Sequence, residues 1–292
     1  MIPKEFDYVA PSSVQEALTA LRDGGEDAKV LAGGHSLIPL MKLRLAAPSR
    51  LVDLRNIADL HGLRRAPDSH VVIGSMVTYY ELQTLEPLRG FPILGECAAS
   101  IGDAQVRARG TIGGSLAHAD PAADMPAAAL ALDAVLIVAH LNGGFTEREI
   151  PARDFFVDLL TTSLQPGEII TGVRLPVVQG RAGGAYVKIR HKASHYALAG
   201  AAVMLQMGDD GTCNNASIAL TGVASKPFRL ERAESVLRGS KLEDSAIREA
   251  ANAVNRADVQ WMSDLFGSEE YRKHLAGVIA TRAIETARGR LR

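Results

Sequence analysis

Cysteine is nearly absent from this chain. Its 292 residues contain two, Cys97 and Cys213, which lie far apart. No Cys-x-x-Cys pair occurs, and no His/Cys group has zinc-site spacing. An iron–sulfur cluster takes about four thiolates, so the chain offers none of its own a place. Aromatic residues are scarce at 5%. An excess of one charge sign is also missing: 32 Lys and Arg face 33 Asp and Glu, for a formal net charge of -1. Proteins that grip nucleic acid through its phosphates show a basic excess, so nucleic acid is not an expected partner. Hydrophobic residues make up 47% of the chain, but no run approaches the ~20 apolar residues that span a bilayer. Residues 1–10 include Lys4, Glu5 and Asp7 and lack the apolar core of a secretory signal. The expectation is a soluble, cytoplasmic protein without a membrane span. Several motifs are missing as well. The chain has no G-x-G-x-x-G fingerprint, no G-x-x-x-x-G-K-[ST] loop, no G-x-S-x-G elbow and no H-E-x-x-H. His118 and Asp120 are close in sequence, but no activated nucleophile accompanies them.

The chain does contain alternating short strands and helices. Ser13-Val14-Gln15-Glu16 is a capping-box pattern. It opens a helix with Val14, Ala17, Leu18 and Leu21 on one face, ended by Gly24-Gly25. Residues 28–32, 49–54 and 70–74 read as short strands. Residues 79–88 and 91–100 read as helices. A Gly-Gly turn is expected at Gly113-Gly114, with a helix over 125–132 beyond it. Residues 134–139 and 144–150 read as a hairpin around Asn142-Gly143, and 168–175 as a strand closed by Pro176. The polar, Gly-rich stretch 177–184 marks a domain boundary. Beyond it, 185–190, 198–207 and 216–221 read as strands, with a hairpin turn at Asp209-Asp210-Gly211. The tail reads as helices over 228–237 and 244–254, the latter with Ile247, Ala251 and Val254 on one side. Ser268 caps a third, which shows Tyr271, Leu275, Val278 and Arg282 on one face.

Two Gly-Gly-x-Ser or Gly-Gly-Ser segments carry the chemistry. The first is Ala32-Gly33-Gly34-His35-Ser36, followed by Leu37-Ile38-Pro39-Leu40-Met41-Lys42; the second is Thr111-Ile112-Gly113-Gly114-Ser115. Paired glycines permit positive φ and close backbone approach. Successive N–H groups in such a turn form a concave anion site, and a hydroxyl adds a donor. Two such loops, each with free N–H groups, would hold the two phosphates of a dinucleotide without an arginine cluster. Either loop alone reads equally as a tight turn, so motif and spacing end at a phosphate-binding protein.

In context the two segments say more. The first, through Lys42, resembles the first FAD loop of the medium, flavin-binding subunits of aerobic-type carbon monoxide dehydrogenases, a family that includes the FAD domain of xanthine dehydrogenase. Thr111 to Ser115, continued by Leu116-Ala117-His118-Ala119-Asp120-Pro121-Ala122-Ala123-Asp124-Met125-Pro126, is similar to its second FAD loop. Phe6, Pro11, Glu16-Ala17-Leu18, Pro166-Gly167-Glu168-Ile169-Ile170 and residues 188–202 extend the resemblance over most of the chain. It implies an α+β fold. Residues 1–177 would form a two-subdomain FAD-binding domain of the vanillyl-alcohol-oxidase/PCMH type, divided at about 55/56. Residues 178–292 would form a C-terminal domain of antiparallel sheet with a helical bundle.

The resemblance also implies roles. Ala32, Gly33, Gly34, His35, Ser36 and Leu37 would wrap the pyrophosphate and nearby ribityl chain, and Thr111, Gly113, Gly114 and Ser115 would close over them. Asp124 would accept hydrogen bonds from cofactor hydroxyls; it reads equally as the cap of the helix that follows. Ile101 and Ile170 would supply apolar contacts, or simply fill the core. Lys188 would be a basic residue near the flavin, or an exposed strand lysine. Tyr196 would lie against the isoalloxazine ring, or be an ordinary strand residue. Gly34-His35-Ser36 also resembles oxidases of the vanillyl-alcohol-oxidase type, some of which bond that histidine to flavin. The chain is too short for their substrate domain, so noncovalent FAD is expected. Ser115 stands where the family commonly has Asn, Arg107-Ala108-Arg109 where Arg-Asn is usual, and His195 where an acidic residue is frequent.

No catalytic residue and no metal ligand is expected on this chain. Substrate would be oxidised at a molybdenum cofactor on a large partner subunit. Electrons would pass through [2Fe-2S] clusters on a small partner, reach FAD here and leave to an external acceptor. Two competing readings remain: a self-sufficient FAD-dependent oxidoreductase, and a structural subunit without flavin.

Overall fold

The hydroxyl of Ser13 accepts a hydrogen bond from the Glu16 N–H at 3.2 Å, while the Glu16 carboxylate reaches back to Ser12, taking its N–H at 2.8 Å and its hydroxyl at 2.9 Å. The capping box is thus present but closes one residue early. In this computed structural model, which describes residues 2–66, 70–85, 88, 90–178 and 180–291, that cap starts the helix of a small N-terminal unit. The unit runs β1 (Asp7–Val9), α1 (Val14–Gly24), β2 (Ala28–Leu31), α2 (Leu37–Lys42) and β3 (Arg50–Asp53). Its three strands are parallel in the order β1-β3-β2. Ala17, Leu18 and Leu21 are the buried face of α1. β1 gave no sequence signal because it is three residues long and Tyr8 is half exposed.

The middle unit continues with β4 (Leu63–Arg65), β5 (Val71–Gly74), α3 (Tyr79–Thr84), α4 (Pro92–Ser100), α5 (Ala104–Arg109), α6 (Ile112–His118) and α7 (Met125–Ala131). Next come β6 (Val135–Leu141), β7 (Phe145–Pro151), α8 (Ala152–Phe155), β8 (Phe156–Asp158), β9 (Thr161–Thr162) and β10 (Ile169–Leu175). Five strands form an antiparallel sheet, β4-β5-β10-β6-β7. α3 ends at Thr84, short of the expected Leu88; residues 86 and 87 lie outside the described ones. Every residue of α7 is buried, as an all-apolar helix requires.

Gly113 and Gly114 do not make a turn. They lie in the first turn of α6, whose N-cap is Thr111. A Cβ on Gly113 would stand 2.5 Å from the Ser75 Cβ. This glycine is therefore needed for close packing and not for positive φ.

The C-terminal unit holds β11 (Ala182–Arg190), β12 (Ala197–Met207), β13 (Cys213–Thr221), β14 (Phe228–Arg229), α9 (Glu231–Leu237), α10 (Asp244–Asn252) and α11 (Glu269–Arg288). The four strands are antiparallel in sequence order. Side chains alternate between the faces of a strand, and here the two faces serve different cores. Ala185, Ala199, Ala201, Val203 and Leu205 pack under α9, α10 and α11. Tyr186, Ala202, Met204 and Ala219 join the core of the middle unit.

Three readings of this region are corrected. Gly183 and Gly184 belong to β11 and not to a loop; a Cβ on Gly183 would lie 2.1 Å from the Ala287 carbonyl oxygen, so glycine lets the end of α11 seat on the strand. Phe228 and Arg229 pair with β13 as a strand, and the helix begins at Glu231. The buried stripe of α11 is Arg272, Leu275, Ala276, Ile279, Ala280, Ala283, Ile284 and Ala287. Tyr271 and Arg282 face outward. Four of the eight residues of that stripe are alanines. Among the described residues, no helix is long and apolar enough to cross a membrane.

Candidate functional site

The chain leaves β2 at Leu31 and turns through Ala32 to Ser36 before entering α2. Gly34 has φ +77°, the left-handed region that glycine tolerates. Gly33 lies directly on the segment ahead of α6: a Cβ there would stand 2.1 Å from the Arg109 carbonyl oxygen. A Cβ on Gly114 would lie 3.5 Å from that of Ala32. The two glycine segments, distant in sequence, therefore meet.

Their amides differ in availability. Among the described residues, the N–H groups of Gly33, Gly34, His35 and Ser36 donate to no protein acceptor. Those of the second segment are taken. Gly113 N–H donates to the Ser75 carbonyl at 2.9 Å, Gly114 N–H to the Thr111 hydroxyl oxygen at 3.1 Å, and Ser115 N–H to the Thr111 carbonyl at 3.0 Å. The expectation of free N–H groups at both segments is thus corrected: Ser75 takes that of Gly113 and the cap and first turn of α6 take those of Gly114 and Ser115, so the second segment offers the Thr111 and Ser115 hydroxyls instead.

Both segments line one cleft of about 550 Å³, within the usual range of ligand pockets, roughly 300–1,000 Å³. Ala32, Gly33, Gly34, His35, Ser36, Leu37, Ile101, Thr111, Gly114, Ser115, Asp124 and Tyr196 all border it. Gly113, Ile170 and Lys188 do not. Gly113 is buried against Ser75, and Ile170 sits in the core on β10. The site also contains Tyr79, Gly110, His118, Asp120, Ser194 and His195. His118 and Asp120 were visible as a close pair in the sequence, and His195 as a departure from the family pattern; Ser194 gave no signal, because a loop of the C-terminal unit brings it in.

Asp124 stands at the N-cap position of α7, yet its side chain makes no capping bond. Its carboxylate instead accepts from the Lys188 Nζ at 2.8 Å and from the Tyr186 hydroxyl. Tyr186 and Lys188 are two apart on β11 and so share a face. Asp124 is buried at 4% exposure, and the Lys188 side chain is equally buried. Lys188 thus lies behind Asp124 and is not an exposed strand lysine. Burial raises the Asp124 carboxyl above its ordinary value, against the opposing pull of the Lys188 charge and the hydrogen bonds from Lys188 and Tyr186. Burial, reinforced by the Asp124 charge, raises the Tyr186 phenol well above its own. Lys188 has a second acceptor, the His195 carbonyl at 2.8 Å. Tyr196, the next residue, stands half exposed at the mouth. Partial burial and the Asp120 and Asp124 charges raise its phenol.

This donor set fits a dinucleotide. Open amides suit phosphate oxygens, carboxylates suit sugar hydroxyls, and Leu37, Leu40, Ile101 and Tyr196 offer apolar surface for a ring.

Comparison with known proteins agrees. Residues 4–178 match the family described as the FAD binding domain in molybdopterin dehydrogenase, and residues 184–287 match the CO dehydrogenase flavoprotein C-terminal domain. The chain is 44% identical to the carbon monoxide dehydrogenase medium chain of Afipia carboxidovorans, over 99% of each protein. It is 38% identical to the 6-hydroxypseudooxynicotine dehydrogenase complex subunit alpha of Paenarthrobacter nicotinovorans, over 100% of this chain and 97% of that one. The solved structure of carbon monoxide dehydrogenase from Hydrogenophaga pseudoflava superposes with a TM-score of 0.94 at 39% identity, covering 100% of both chains. The chain belongs to the family of FAD-binding medium subunits of molybdenum hydroxylases.

Proposed function

We propose that this chain is the electron-outlet subunit of a three-part complex. A large partner subunit with a molybdenum cofactor oxidises the substrate. A small partner with [2Fe-2S] clusters carries the electrons to this chain, and an external acceptor removes them. FAD supplies the redox chemistry; the protein supplies its binding, orientation and electrostatics.

The open amides of Gly33 to Ser36, facing the hydroxyls of Thr111 and Ser115 across one cleft, carry this reading. They would bind the pyrophosphate oxygens through the main chain. No arginine lines the cleft among the described residues, and Lys29 is the one lysine that does. Asp124, held by Lys188 and Tyr186, would accept from ribityl or ribose hydroxyls. Tyr196 would shield the ring from water. Cys97 and Cys213 are buried and unpaired, which leaves cluster ligation to a partner.

The test is an absorption spectrum of the purified chain mixed with FAD, followed by acid precipitation. The expected result is a flavin spectrum and FAD released into the supernatant. Flavin retained in the pellet would indicate a covalent oxidase. A colourless protein that takes up no FAD, alone or with its partners, would overturn the proposal. Turnover of a substrate by the isolated chain would point to a self-sufficient enzyme.

A further inference from the structure

The segment from His191 to Tyr196 joins β11 to β12 and forms one lip of the cleft. Its base is well held. The His191 N–H donates to the Tyr196 carbonyl at 2.8 Å, and the His191 ring lies edge-on to Phe266, centroids 4.4 Å apart. Its tip folds back on that base, with the Ala193 and Ser194 N–H groups donating to His191 Nδ1 at 3.3 and 3.2 Å and the His195 N–H to the His191 carbonyl at 3.0 Å, and one residue carries it across the cleft. His195 takes φ +62°, a conformation unusual for a side chain other than Asn or Asp, though His also visits it. That backbone turn directs the His195 carbonyl inward, where the buried Lys188 ammonium donates to it at 2.8 Å. It also sends the ring across the cleft, where Nδ1 meets the Gly102 carbonyl at 3.0 Å. Gly102 lies between α4 and α5 in the middle unit. Through its carbonyl this residue bonds Lys188 of its own unit, and through its ring it crosses to the middle unit.

We propose that His195 is a positioning residue which latches the 191–196 strap across the cleft and thereby fixes where Tyr196 stands at the mouth. The ring bond requires a proton on Nδ1, because a carbonyl oxygen only accepts. Both the Nδ1-H tautomer and the imidazolium supply it. Tyr196 follows His195 directly, and its N–H makes only a long 3.4 Å bond to the Ser194 hydroxyl. The His191 N–H holds its carbonyl at 2.8 Å, and the latch sets the turn that leads into it. The consequence for a flavin ring beneath Tyr196 rests on the function proposed above; the latch itself does not.

Two nearly isosteric substitutions separate the donor from the backbone. Asn and Asp both tolerate positive φ, but only Asn can donate to the Gly102 carbonyl. Hydrogen exchange of the strap amides is measured on the full flavin-free chain. His195→Asp is expected to speed exchange of residues 193–196 about five- to tenfold, the loss of roughly one hydrogen bond. His195→Asn is expected to stay close to the parent. His195→Gly keeps the backbone turn without a ring and serves as the second donor-free variant should the Asp protein fold poorly. With FAD added, the bound-flavin fluorescence of the Asp variant should rise towards that of Tyr196→Ala, while the Asn variant stays quenched. Unchanged exchange in both donor-free variants, or an Asn variant as loose as the Asp one, would overturn the latch. If the parent takes up no FAD, the flavin reading fails while the exchange experiment still decides the latch.

Discussion

Gly33 owes its identity to a carbonyl oxygen from another segment. Any Cβ would fall 2.1 Å from the Arg109 oxygen, so Gly33→Ala pushes the first glycine loop away from the segment that precedes α6. The expected outcome is a loss of FAD affinity of at least about tenfold with about 1–3 kcal/mol of destabilisation, the cost of overpacking. Fluorescence titration and urea unfolding read the two effects separately. Asp124 presents a different case. Removing its carboxylate leaves the Lys188 ammonium buried without its counter-charge. Asp124→Ala is expected to cost about 3–5 kcal/mol as well as FAD affinity, again by urea unfolding and titration. A small change in unfolding midpoint would show that the ion pair is replaceable by water. Sequence made both Asp124 and Lys188 candidates. It did not show that they touch each other, because Lys188 lies 64 positions along the chain.

Elements are fastened by a few buried charges at their ends. Arg148 on β7 grips Glu168, just ahead of β10, with two parallel bonds of 2.8 Å each, and Glu168 also accepts from the Gln165 N–H at 2.8 Å. Burial pushes the Glu168 carboxyl up, but the Arg148 bonds, the Gln165 N–H and the guanidinium charge outweigh it and hold it below its ordinary value. A depressed carboxyl stabilises the fold fully above its unfolded value; that contribution is lost as pH falls through the lowered folded value. Glu168→Gln should therefore lower stability near neutral pH and flatten its decline into acid, as followed by urea midpoints over a pH series. Parallel curves for the parent and the variant would count against the linkage. On α11, the Arg272 guanidinium donates to the Leu198 carbonyl at 3.0 Å, to the Gly222 carbonyl, and to Asp264 at 2.6 Å. Arg272→Met strips buried acceptors of their donor, at an expected cost of about 2–3 kcal/mol in thermal or chemical unfolding. The sequence predicted α11 from its cap and periodicity. It found Leu275 on the buried face but misplaced Tyr271 and Arg282, because half of that face is alanine, which carries little hydrophobic contrast.

At the scale of the whole molecule, the C-terminal sheet has no free face. One side packs under its own helices and the other enters the core of the middle unit. Arg229 reinforces that junction. Its guanidinium, 5% exposed, pairs with Glu234 in its own unit and reaches across to the Leu130 carbonyl and to Asp133, each at 2.9 Å. The middle and C-terminal units should therefore unfold together, in one calorimetric transition. Arg229→Met leaves the buried Glu234 carboxylate unpaired. It is expected to cost about 3–5 kcal/mol and to split the transition in two; a single unshifted peak would show that the shared apolar face suffices alone. This coupling matters for the site, since Ser194, His195 and Tyr196 come from the C-terminal unit while the glycine segments come from the others.

The sequence alone settled the type of most of the longer helices and strands, the hairpin turns at Asn142-Gly143 and Asp209-Asp210-Gly211, and the two glycine segments as the place to look. These are local matters, decided by caps, periodicity and the φ freedom of glycine within a few residues. Tertiary structure decided which amides remain open, since Ser75 occupies that of Gly113 and the Thr111 cap that of Gly114. It also decided that Asp124 bonds Lys188 and Tyr186 instead of capping α7, and that His195 reaches Gly102. The Asp124 and His195 outcomes depend on partners more than sixty positions away, and a hydrogen bond is fixed by distance in space, which a linear pattern does not record.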